Sequence, residues 1–268
     1  MEELIVIKIG GNIIDDTEAL HTFLCDFSAI VSPKILIHGG GKLATQLSSK
    51  LGIETKMVEG RRITDEETLK IVTMTYAGWV NKAIVAALQF RLCNALGLSG
   101  ADANLIPAVR RPVKDIDYGW VGDIDKAKVN TGFLKNILGV GIVPVIAPIS
   151  CNADGHLLNI NADTIAKTVA EAMSSCYRVK LVYCFEKSGL LLDVSDDSSV
   201  INEIDLTLAE QLKTEGIINA GMVPKIDNAL EAVSNGVSEV VVGHAKNILQ
   251  MANGEKGFGT IITARALV

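Results

Sequence analysis

Two lysines stand where a positive charge is costly unless an anion lies nearby. Lys8 interrupts the apolar run IVIKI, which is typical of a strand buried on both faces. Lys225 follows Pro224 near the start of a predicted helix, where a cation opposes the helix dipole. A bound anion would explain both positions. A structural ion pair for Lys8 and a solvated surface position for Lys225 are the alternatives.

Glycines follow two of the predicted strands and precede a predicted helix in both places. They are Gly10 and Gly11 after the first strand, and Gly39, Gly40 and Gly41 after the second. Backbone N–H groups can converge on an anion there, because no Cβ blocks the approach and the helix dipole favours negative charge. On neighbouring parallel strands, the two turns would form one concave site at the carboxyl ends of the strands. Tight turns without a ligand are the alternative.

Neither glycine turn matches a known nucleotide fingerprint. A Walker A loop needs a glycine five residues before its second glycine and Ser or Thr after its lysine. Here Leu36 stands upstream of Gly41, and Leu43 follows Lys42. A dinucleotide turn needs a third glycine, which Gly139-x-Gly141 lacks. Both mechanisms are therefore disfavoured.

A polar set follows an apolar stretch in NINAD, residues 159–163. Asn159 and Asn161 alternate, so in an extended chain they project to the same side, and Asp163 falls in the first turn of the next predicted helix. Helix capping accounts for Asn161 but not for Asn159. This segment therefore adds to the case for a ligand site.

Strand-like and helix-like segments alternate from end to end, which predicts helices on both faces of a mainly parallel sheet. The predicted fold class is α/β, a three-layer αβα sandwich with an open central sheet. The predicted strands are LIVIKI, KILI, GIVPVIAPI, YRVKLVYCF, SEVVVG and TIITA. The predicted helices cover residues 17–30, 42–51, 64–96, 161–173 and 206–214, with a further one from 222. MVEGRRIT and NADGHLL are predicted hairpins, and Thr64 with Glu67 fits a capping box.

Composition disfavours several classes of protein. The chain has 268 residues, a formal net charge of −6 and 4% aromatic residues, so it offers neither the basic face nor the stacking platform of a nucleic-acid binder. Its five cysteines show no C-x-x-C pair and no histidine at zinc spacing, so we expect neither a disulfide framework nor a metal site. We expect no leader and no membrane-spanning segment, and therefore a cytoplasmic enzyme.

Five short motifs, in this order along the chain, resemble the amino-acid kinase family: KIGGN, HGGG, GRRIT, LNINAD and GMVPK. The resemblance covers Ile5 to about Thr263 and is closest to members that act on N-acylated glutamate. It implies ATP-dependent phosphorylation of the side-chain carboxylate, as in the second step of arginine biosynthesis, with ATP and Mg²⁺. Phosphoryl transfer depends mostly on positioning and electrostatics, so two ammonium groups and Mg²⁺ are the expected apparatus.

The resemblance also implies roles for single residues. Lys8 and Lys225 would flank the transferring phosphoryl group, Asp163 would hold both lysines, and the N–H groups of Gly11 and Gly41 would donate to that group. Arg62 would clamp the substrate α-carboxylate. The remaining substrate contacts would be Gly40, Gly41, Asn159 and Asn161. The nucleotide contacts would be Lys8, Gly10, Gly11, Lys225, Cys184, Phe185 and Gly189. Mg²⁺ would be held by ATP phosphates and water, with no protein ligand.

Two departures from the family pattern carry expectations of their own. Where the family usually has a Ser/Thr-Asp-Val turn, this chain reads VYCFEKSG, with Phe185 at the aspartate position and one extra residue. The chain also begins at its first strand, without the extra N-terminal helix of arginine-inhibited members, so we expect a homodimer that arginine does not inhibit. We expect an N-terminal lobe of residues 1–174 for the acyl amino acid and dimerisation, and a C-terminal lobe of residues 175–268 for ATP.

Three other functions remain open. An N-succinylglutamate kinase and a kinase for carrier-linked aminoadipate would use the same fold. A non-catalytic sensor of amino acid or nucleotide could also keep the fold. The sensor is disfavoured because both lysines and Asp163 are present, and the acidic chain argues mildly against an acidic carrier.

Overall fold

The computed structural model describes residues 1–58, 61–193, 195–196, 199–218 and 222–264. Its strands, in chain order, are β1 (Glu3–Ile9), β2 (Lys34–His38), β3 (Met57–Val58), β4 (Arg61–Arg62), β5 (Ala95–Ser99), β6 (Ala108–Arg110), β7 (Gly122–Ile124), β8 (Val143–Ala147), β9 (Ile149–Cys151), β10 (Leu157–Asn159), β11 (Arg178–Phe185), β12 (Glu203–Ile204), β13 (Glu239–His244) and β14 (Thr260–Ile262). Its α-helices are α1 (Gly11–Asp15), α2 (Thr17–Ala29), α3 (Gly41–Lys50), α4 (Glu66–Thr73), α5 (Asn81–Phe90), α6 (Thr131–Gly139), α7 (Ala162–Met173), α8 (Leu206–Thr214), α9 (Val223–Ser234) and α10 (Ile248–Asn253).

Eight strands form the central sheet, in the order β12-β14-β13-β11-β1-β2-β8-β5. Neighbouring strands are parallel except β13 and β14, which are antiparallel. Three small antiparallel pairs, β3 with β4, β6 with β7, and β9 with β10, stand apart from this sheet. The carboxyl ends of β1, β2 and β11 therefore meet at one edge of the sheet.

The sheet is covered by helices on both faces, which confirms the predicted three layers. Alternate residues of β1 pack into opposite cores: Leu4 and Val6 into one, and Ile5, Ile7 and Ile9 into the other. The first core contains buried residues of α6, α7, α8 and α9, and the second contains those of α2, α5 and α10. Because side chains alternate along a strand, Lys8 faces the layer that contains α7.

Most predicted elements agree with the structure to within a few residues. The predicted helix over 206–214 matches α8, the segment from Asn161 matches α7, and NADGHLL contains the turn between β9 and β10. GIVPVIAPI divides into β8 and β9 on either side of Pro148. The hairpin β6–β7, the strand β12 and the helices α6 and α10 were not predicted. Glu59 and Gly60 of MVEGRRIT, and Gly221 of GMVPK, lie outside the described residues.

The predicted helix over residues 64–96 is wrong at both ends. Asp65 caps α4 by accepting from the backbone N–H of Thr68 at 2.8 Å, so the predicted capping box at Thr64 is wrong. The helical run passes through a π-helical turn, Met74–Val80, and ends at Phe90; Leu92 then adopts a φ of 59°. The next apolar stretch forms the edge strand β5, because a short apolar run fits a strand as well as a helix.

The helical run Glu66–Phe90 is the one span among the described residues that is long and apolar enough, by length and composition, to cross a membrane. Its buried side, including Ile71, Ile84 and Leu88, packs into the cores beside the sheet. Asn81 on the same run donates hydrogen bonds to His38 Nε2 and to the carbonyl of Val145. The run is thus a packed helix of this fold.

Candidate active site

Two glycine turns meet at the carboxyl edge of the sheet, as predicted. Gly10 precedes α1 and Gly40 precedes α3, and neither helix start has a side-chain cap. The N–H of Gly39 donates to the carbonyl of Ile9 at 3.1 Å, which ties the turns together. A Cβ added to Gly11 would lie 4.0 Å from the amide nitrogen of Gly41. The arrangement offers uncapped backbone N–H groups to an anion.

Gly40 allows the closest approach in this region. It adopts a φ of 146°, a conformation that disfavours side chains, and a Cβ there would lie 3.0 Å from the ring of Tyr76. Tyr76 stands on the π-helical turn and is buried. Burial raises the pKa of its phenol, so it stays neutral. Sequence reasoning missed Tyr76, since nothing in the apolar spacing signals a π-helical turn.

Lys8 and Asp163 form an ion pair directly below the glycine turns. The Lys8 side chain is 10% exposed, and its Nζ lies 2.7 Å from Asp163 Oδ1. Asp163 is held in the first turn of α7, because Asn161 Oδ1 accepts from the N–H groups of Asp163 and Thr164. The buried ammonium thus has a counter-charge, and a Cβ built on Gly10 would lie 3.8 Å from it.

Lys225 reaches the same region from the C-terminal part of the chain. It lies exposed in the first turn of α9, and its Nζ is 4.3 Å from the centroid of the Phe185 ring. Of the two lysines, the structure pairs Lys8 with Asp163 and places Lys225 against Phe185. A second aromatic, Tyr183, is stacked on Phe185 with centroids 6.2 Å apart.

A cavity of about 550 Å³ lies between the first glycine turn and the end of β11. All of the sequence-predicted nucleotide residues other than Lys8 line it: Gly10, Gly11, Lys225, Cys184, Phe185 and Gly189. Asn12 donates to the carboxylate of Glu186 across this cavity, linking the turn to β11. Burial raises the pKa of the Cys184 thiol to about 12, so this cysteine is an inert wall residue.

A smaller cavity of about 210 Å³ lies on the other side of Gly41 and is lined by Gly40, Arg62, Asn159 and Asn161. Gly41 lines both cavities. Sequence reasoning predicted these residues, and the structure brings them together. It also adds Arg61, Arg111 and Tyr76, which were not predicted. Arg111 directly follows the strand β6, which was not predicted, so no sequence pattern indicated that Arg111 lines this cavity.

Arg62 is fixed by three hydrogen bonds. Its Nη1 donates to Thr55 Oγ1 at 3.1 Å, and its Nη2 donates to Thr45 Oγ1 at 2.9 Å and to the carbonyl of Gly41 at 3.0 Å. The side chain is 8% exposed. The guanidinium therefore links the β3–β4 hairpin to the start of α3 and lines the smaller cavity.

Thr64 fixes the segment that carries Arg62 to the rest of the cavity wall. Its N–H donates to the carbonyl of Tyr118 at 2.9 Å, and its carbonyl accepts from Trp120 at 2.6 Å. Asn159 donates from Nδ2 to Thr64 Oγ1 at 3.0 Å and from its backbone N–H to Trp120. Asn159 is thereby buried and oriented, as a pocket residue should be.

His38, at the end of β2, supports the second glycine turn from below. Its Nδ1 lies 2.8 Å from the carbonyl of Gly39 and therefore carries the proton, and its Nε2 accepts from Asn81 at 3.1 Å. The ring is fully buried, and burial lowers its pKa to about 4. His38 is therefore a neutral group that fixes the turn.

Comparisons with known proteins agree on one family. Residues 3–244 match the sequence profile of the amino acid kinase family. The acetylglutamate kinase of Cytophaga hutchinsonii is 51% identical over 265 residues, 98% of this chain and 100% of that protein. Two solved structures share the fold. N-acetylglutamate synthase of Neisseria gonorrhoeae, complexed with coenzyme A and N-acetyl-glutamate, has a TM-score of 0.82 at 23% identity over 99% of this chain and 60% of that chain. Carbamate kinase of Giardia lamblia bound to AMP-PNP has a TM-score of 0.70 at 14% identity over 98% of this chain and 99% of that chain.

Proposed function

The chain belongs to the amino acid kinase family, and from this premise we propose that it transfers the γ-phosphoryl group of ATP to the side-chain carboxylate of N-acetyl-L-glutamate. The products are N-acetyl-L-glutamyl 5-phosphate and ADP, and the reaction serves arginine biosynthesis. The observation that carries the proposal is that two cavities share Gly41, and that Lys8, paired with Asp163, lies 3.8 Å from a Cβ built on Gly10 in the wall of the larger one. Such a junction brings a nucleotide and a carboxylate acceptor end to end.

The reaction needs charge stabilisation rather than proton transfer. The acceptor is already a carboxylate at pH 7, so no general base is required. The Lys8 ammonium and the N–H groups of Gly11 and Gly41 would hold the phosphoryl group as negative charge moves from the acceptor to the leaving oxygen. Lys225 would act from the opposite side. Asp163 holds the Lys8 ammonium in place at 2.7 Å.

ATP would occupy the larger cavity, whose volume of about 550 Å³ suits a ligand of that size. The described residues contain no group of three or more His, Cys, Asp or Glu side chains that could hold a metal ion. These residues do not fit a protein cage for Mg²⁺, so the ion would enter with the nucleotide, on phosphate oxygens and water. Residues 175–268 would hold ATP together with the first glycine turn, which also lines this cavity, and residues 1–174 would hold the acyl amino acid.

Arg62 would bind the α-carboxylate of the substrate in the smaller cavity. Its positive charge and its fixed plane suit a carboxylate. Asn159 would bind the α-carboxylate or the amide side, and Asn161 would support the reacting end. The Gly40 and Gly41 backbone would form the floor, because the Tyr76 ring leaves no room for a side chain at Gly40.

A second candidate substrate, N-succinylglutamate, is favoured by one observation. Arg61 and Arg111 line the acyl cavity in addition to Arg62, so it contains more guanidinium groups than a single α-carboxylate needs. Arg111 is partly neutralised by Asp123, with Nη2 2.5 Å from Oδ1. A succinyl group would bring a further carboxylate to this cluster.

One assay tests the function and ranks the acyl groups. The acyl phosphate is trapped as a hydroxamate with MgATP and, separately, N-acetylglutamate, N-succinylglutamate, glutamate and aspartate. We expect product with N-acetylglutamate and none with the free amino acids. A higher kcat/KM for N-succinylglutamate would identify the second candidate as the substrate. No product from any acyl amino acid would refute the kinase and favour a sensor.

The assembly we propose is a cytoplasmic homodimer. The helical run Glu66–Phe90 and the residues after it expose large apolar side chains, with Trp79 73% exposed, Phe90 83% and Leu92 95%. Apolar surface of this kind favours association with a second copy. Light scattering should give twice the chain mass, and Trp79→Glu should shift the protein toward monomer. A monomeric wild type would refute the dimer.

A further inference from the structure

Lys225 is held in an unusual way for a lysine that faces phosphate. It lies in the first turn of α9, where the helix dipole repels a cation. Its ammonium lies over the face of the Phe185 ring, 4.3 Å from the ring centroid. A lysine side chain loses considerable rotamer freedom when it is fixed in one position, so this contact decides where the ammonium lies before the nucleotide binds.

The Phe185 ring is itself fixed to the centre of the site. It stacks on Tyr183 with an interplanar angle of 16°, and the two alternate on one face of β11. Tyr183 is buried and donates from its hydroxyl to the backbone carbonyl of Asp163 at 3.3 Å. Burial and the nearby Asp163 charge raise the pKa of this phenol, so the donor stays protonated. Lys8 contacts Asp163 directly, and Lys225 is linked to it through two aromatic rings.

We propose that Phe185 is a positioning residue that holds the Lys225 ammonium at the edge of the nucleotide cavity, ready to contact the transferring phosphoryl group. The inference rests on the kinase function proposed above and assigns a role to the residue that replaces the usual aspartate of the family.

An aromatic face suits this task better than a carboxylate would. The ring attracts the ammonium through its quadrupole and leaves the full positive charge in place. A carboxylate at position 185 would hold the lysine too, but it would also lie beside the phosphates and repel them. Because the ring has no net charge, the lysine can turn toward an arriving phosphate without leaving an unpaired anion behind.

Substitutions at position 185 test the proposal by steady-state kinetics. Phe185→Leu keeps an apolar side chain but removes the aromatic face, so kcat should fall about three- to tenfold. Because the contact acts through Lys225, the KM for the acyl amino acid should be unchanged. Phe185→Tyr and Phe185→Trp should restore kcat to within about twofold of wild type. Phe258→Leu, a matched change at a residue that lines neither cavity, should leave kcat unchanged.

Stepwise fluorination of Phe185 separates the cation contact from packing. Each fluorine weakens the negative face of the ring while changing its shape little, so kcat should fall progressively along the series. A flat series, or Phe185→Leu with wild-type kcat, would overturn the proposal.

A second measurement does not depend on turnover. In the free protein, the ε-methylene protons beside the Lys225 ammonium should show an upfield ring-current shift by NMR, because that ammonium lies 4.3 Å from the ring centroid. Phe185→Leu should abolish this shift and Phe185→Tyr should keep it. If the wild type lacks kinase activity, the kinase proposal fails while this shift still supports the contact. If the wild type is active but shows no shift, the inference about Phe185 fails alone.

Discussion

The two cavities that meet at Gly41 fix their charged side chains in different ways. On the acyl side, Arg62 is buried with three hydrogen bonds, and Asn159 is bonded to Thr64. On the nucleotide side, Lys225 is exposed and rests on an uncharged ring. The acyl pocket is thus organised by hydrogen bonds before its ligand arrives, whereas the nucleotide pocket holds its cation on an uncharged ring, from which the cation can turn to the phosphates.

Lys8, whose Nζ lies 3.8 Å from a Cβ built on Gly10 in the wall of the nucleotide cavity, gives the largest expected effect. Lys8→Arg keeps the charge but moves it away from the position set by Asp163, so transition-state stabilisation should be lost. We expect kcat to fall about 100- to 1000-fold, with the KM values changed less than about threefold. Initial rates over a matrix of both substrates measure this.

Lys180→Arg is the matched control for burial. Lys180 is also a buried strand lysine with a carboxylate partner, Glu239 at 3.1 Å, but it lies near the start of β11, away from the glycine turns at the carboxyl edge of the sheet. It should keep wild-type kcat. If Lys8→Arg raised a KM and left kcat unchanged, Lys8 would belong to ground-state binding, and the division between the cavities would have to be redrawn.

Arg62 tests the organised side of the comparison. A lysine cannot reproduce the hydrogen bonds to Thr55, Thr45 and the Gly41 carbonyl while presenting a planar pair of donors. Arg62→Lys should therefore raise the KM for the acyl amino acid about 10- to 100-fold with little change in kcat. Arg110→Lys, an exposed residue outside both cavities, is the control. An equal fall in kcat and kcat/KM would show that Arg62 acts in the transition state instead.

The fold was predictable because its strands are apolar runs separated by glycine turns. The order of those runs placed Gly10, Gly11 and Gly39–Gly41 at one edge of the sheet without any knowledge of tertiary contacts. The cost of burying an ammonium pointed to an anionic partner for Lys8, and the structure supplies Asp163 at 2.7 Å. Periodicity and desolvation cost are properties of a short segment, so the sequence displays them.

The features of the site that could not be predicted depend on contacts between segments far apart in the sequence. Tyr76 faces Gly40 from a π-helical turn, and such a turn changes the helical register in a way that apolar spacing does not reveal. The contact between Phe185 and Lys225 joins an irregular strand end to a helix start. Neither contact has a signature in local sequence, because side-chain geometry across the cavity decides both.

The smallest expected effect is on the pH dependence of folding stability below pH 7, which tests the organised acyl side of the site. His38 fixes the glycine turn as a neutral ring, and burial lowers its pKa from 6.5 to about 4. The unfolded chain therefore binds more protons between these values, and stability should fall as the pH drops below about 6.5. We expect a loss of about 1–2 kcal/mol from His38 between pH 7 and pH 5. Other titrating groups contribute in the same window, so the measured quantity is the difference from a variant.

Urea unfolding at pH 7, 6 and 5 measures that difference. His38→Gln removes the titrating ring, and its stability should depend less on pH than that of the wild type, whatever its stability at pH 7. His21→Gln, the same substitution at an exposed histidine, is the matched control. A smaller pH dependence in His38→Gln would show that protonation of the buried His38 ring destabilises the glycine turn beside the acyl pocket. Equal pH dependence in wild type and His38→Gln would mean that His38 accepts its proton while folded, and that hydrogen bonds other than those of a neutral ring fix the glycine turn.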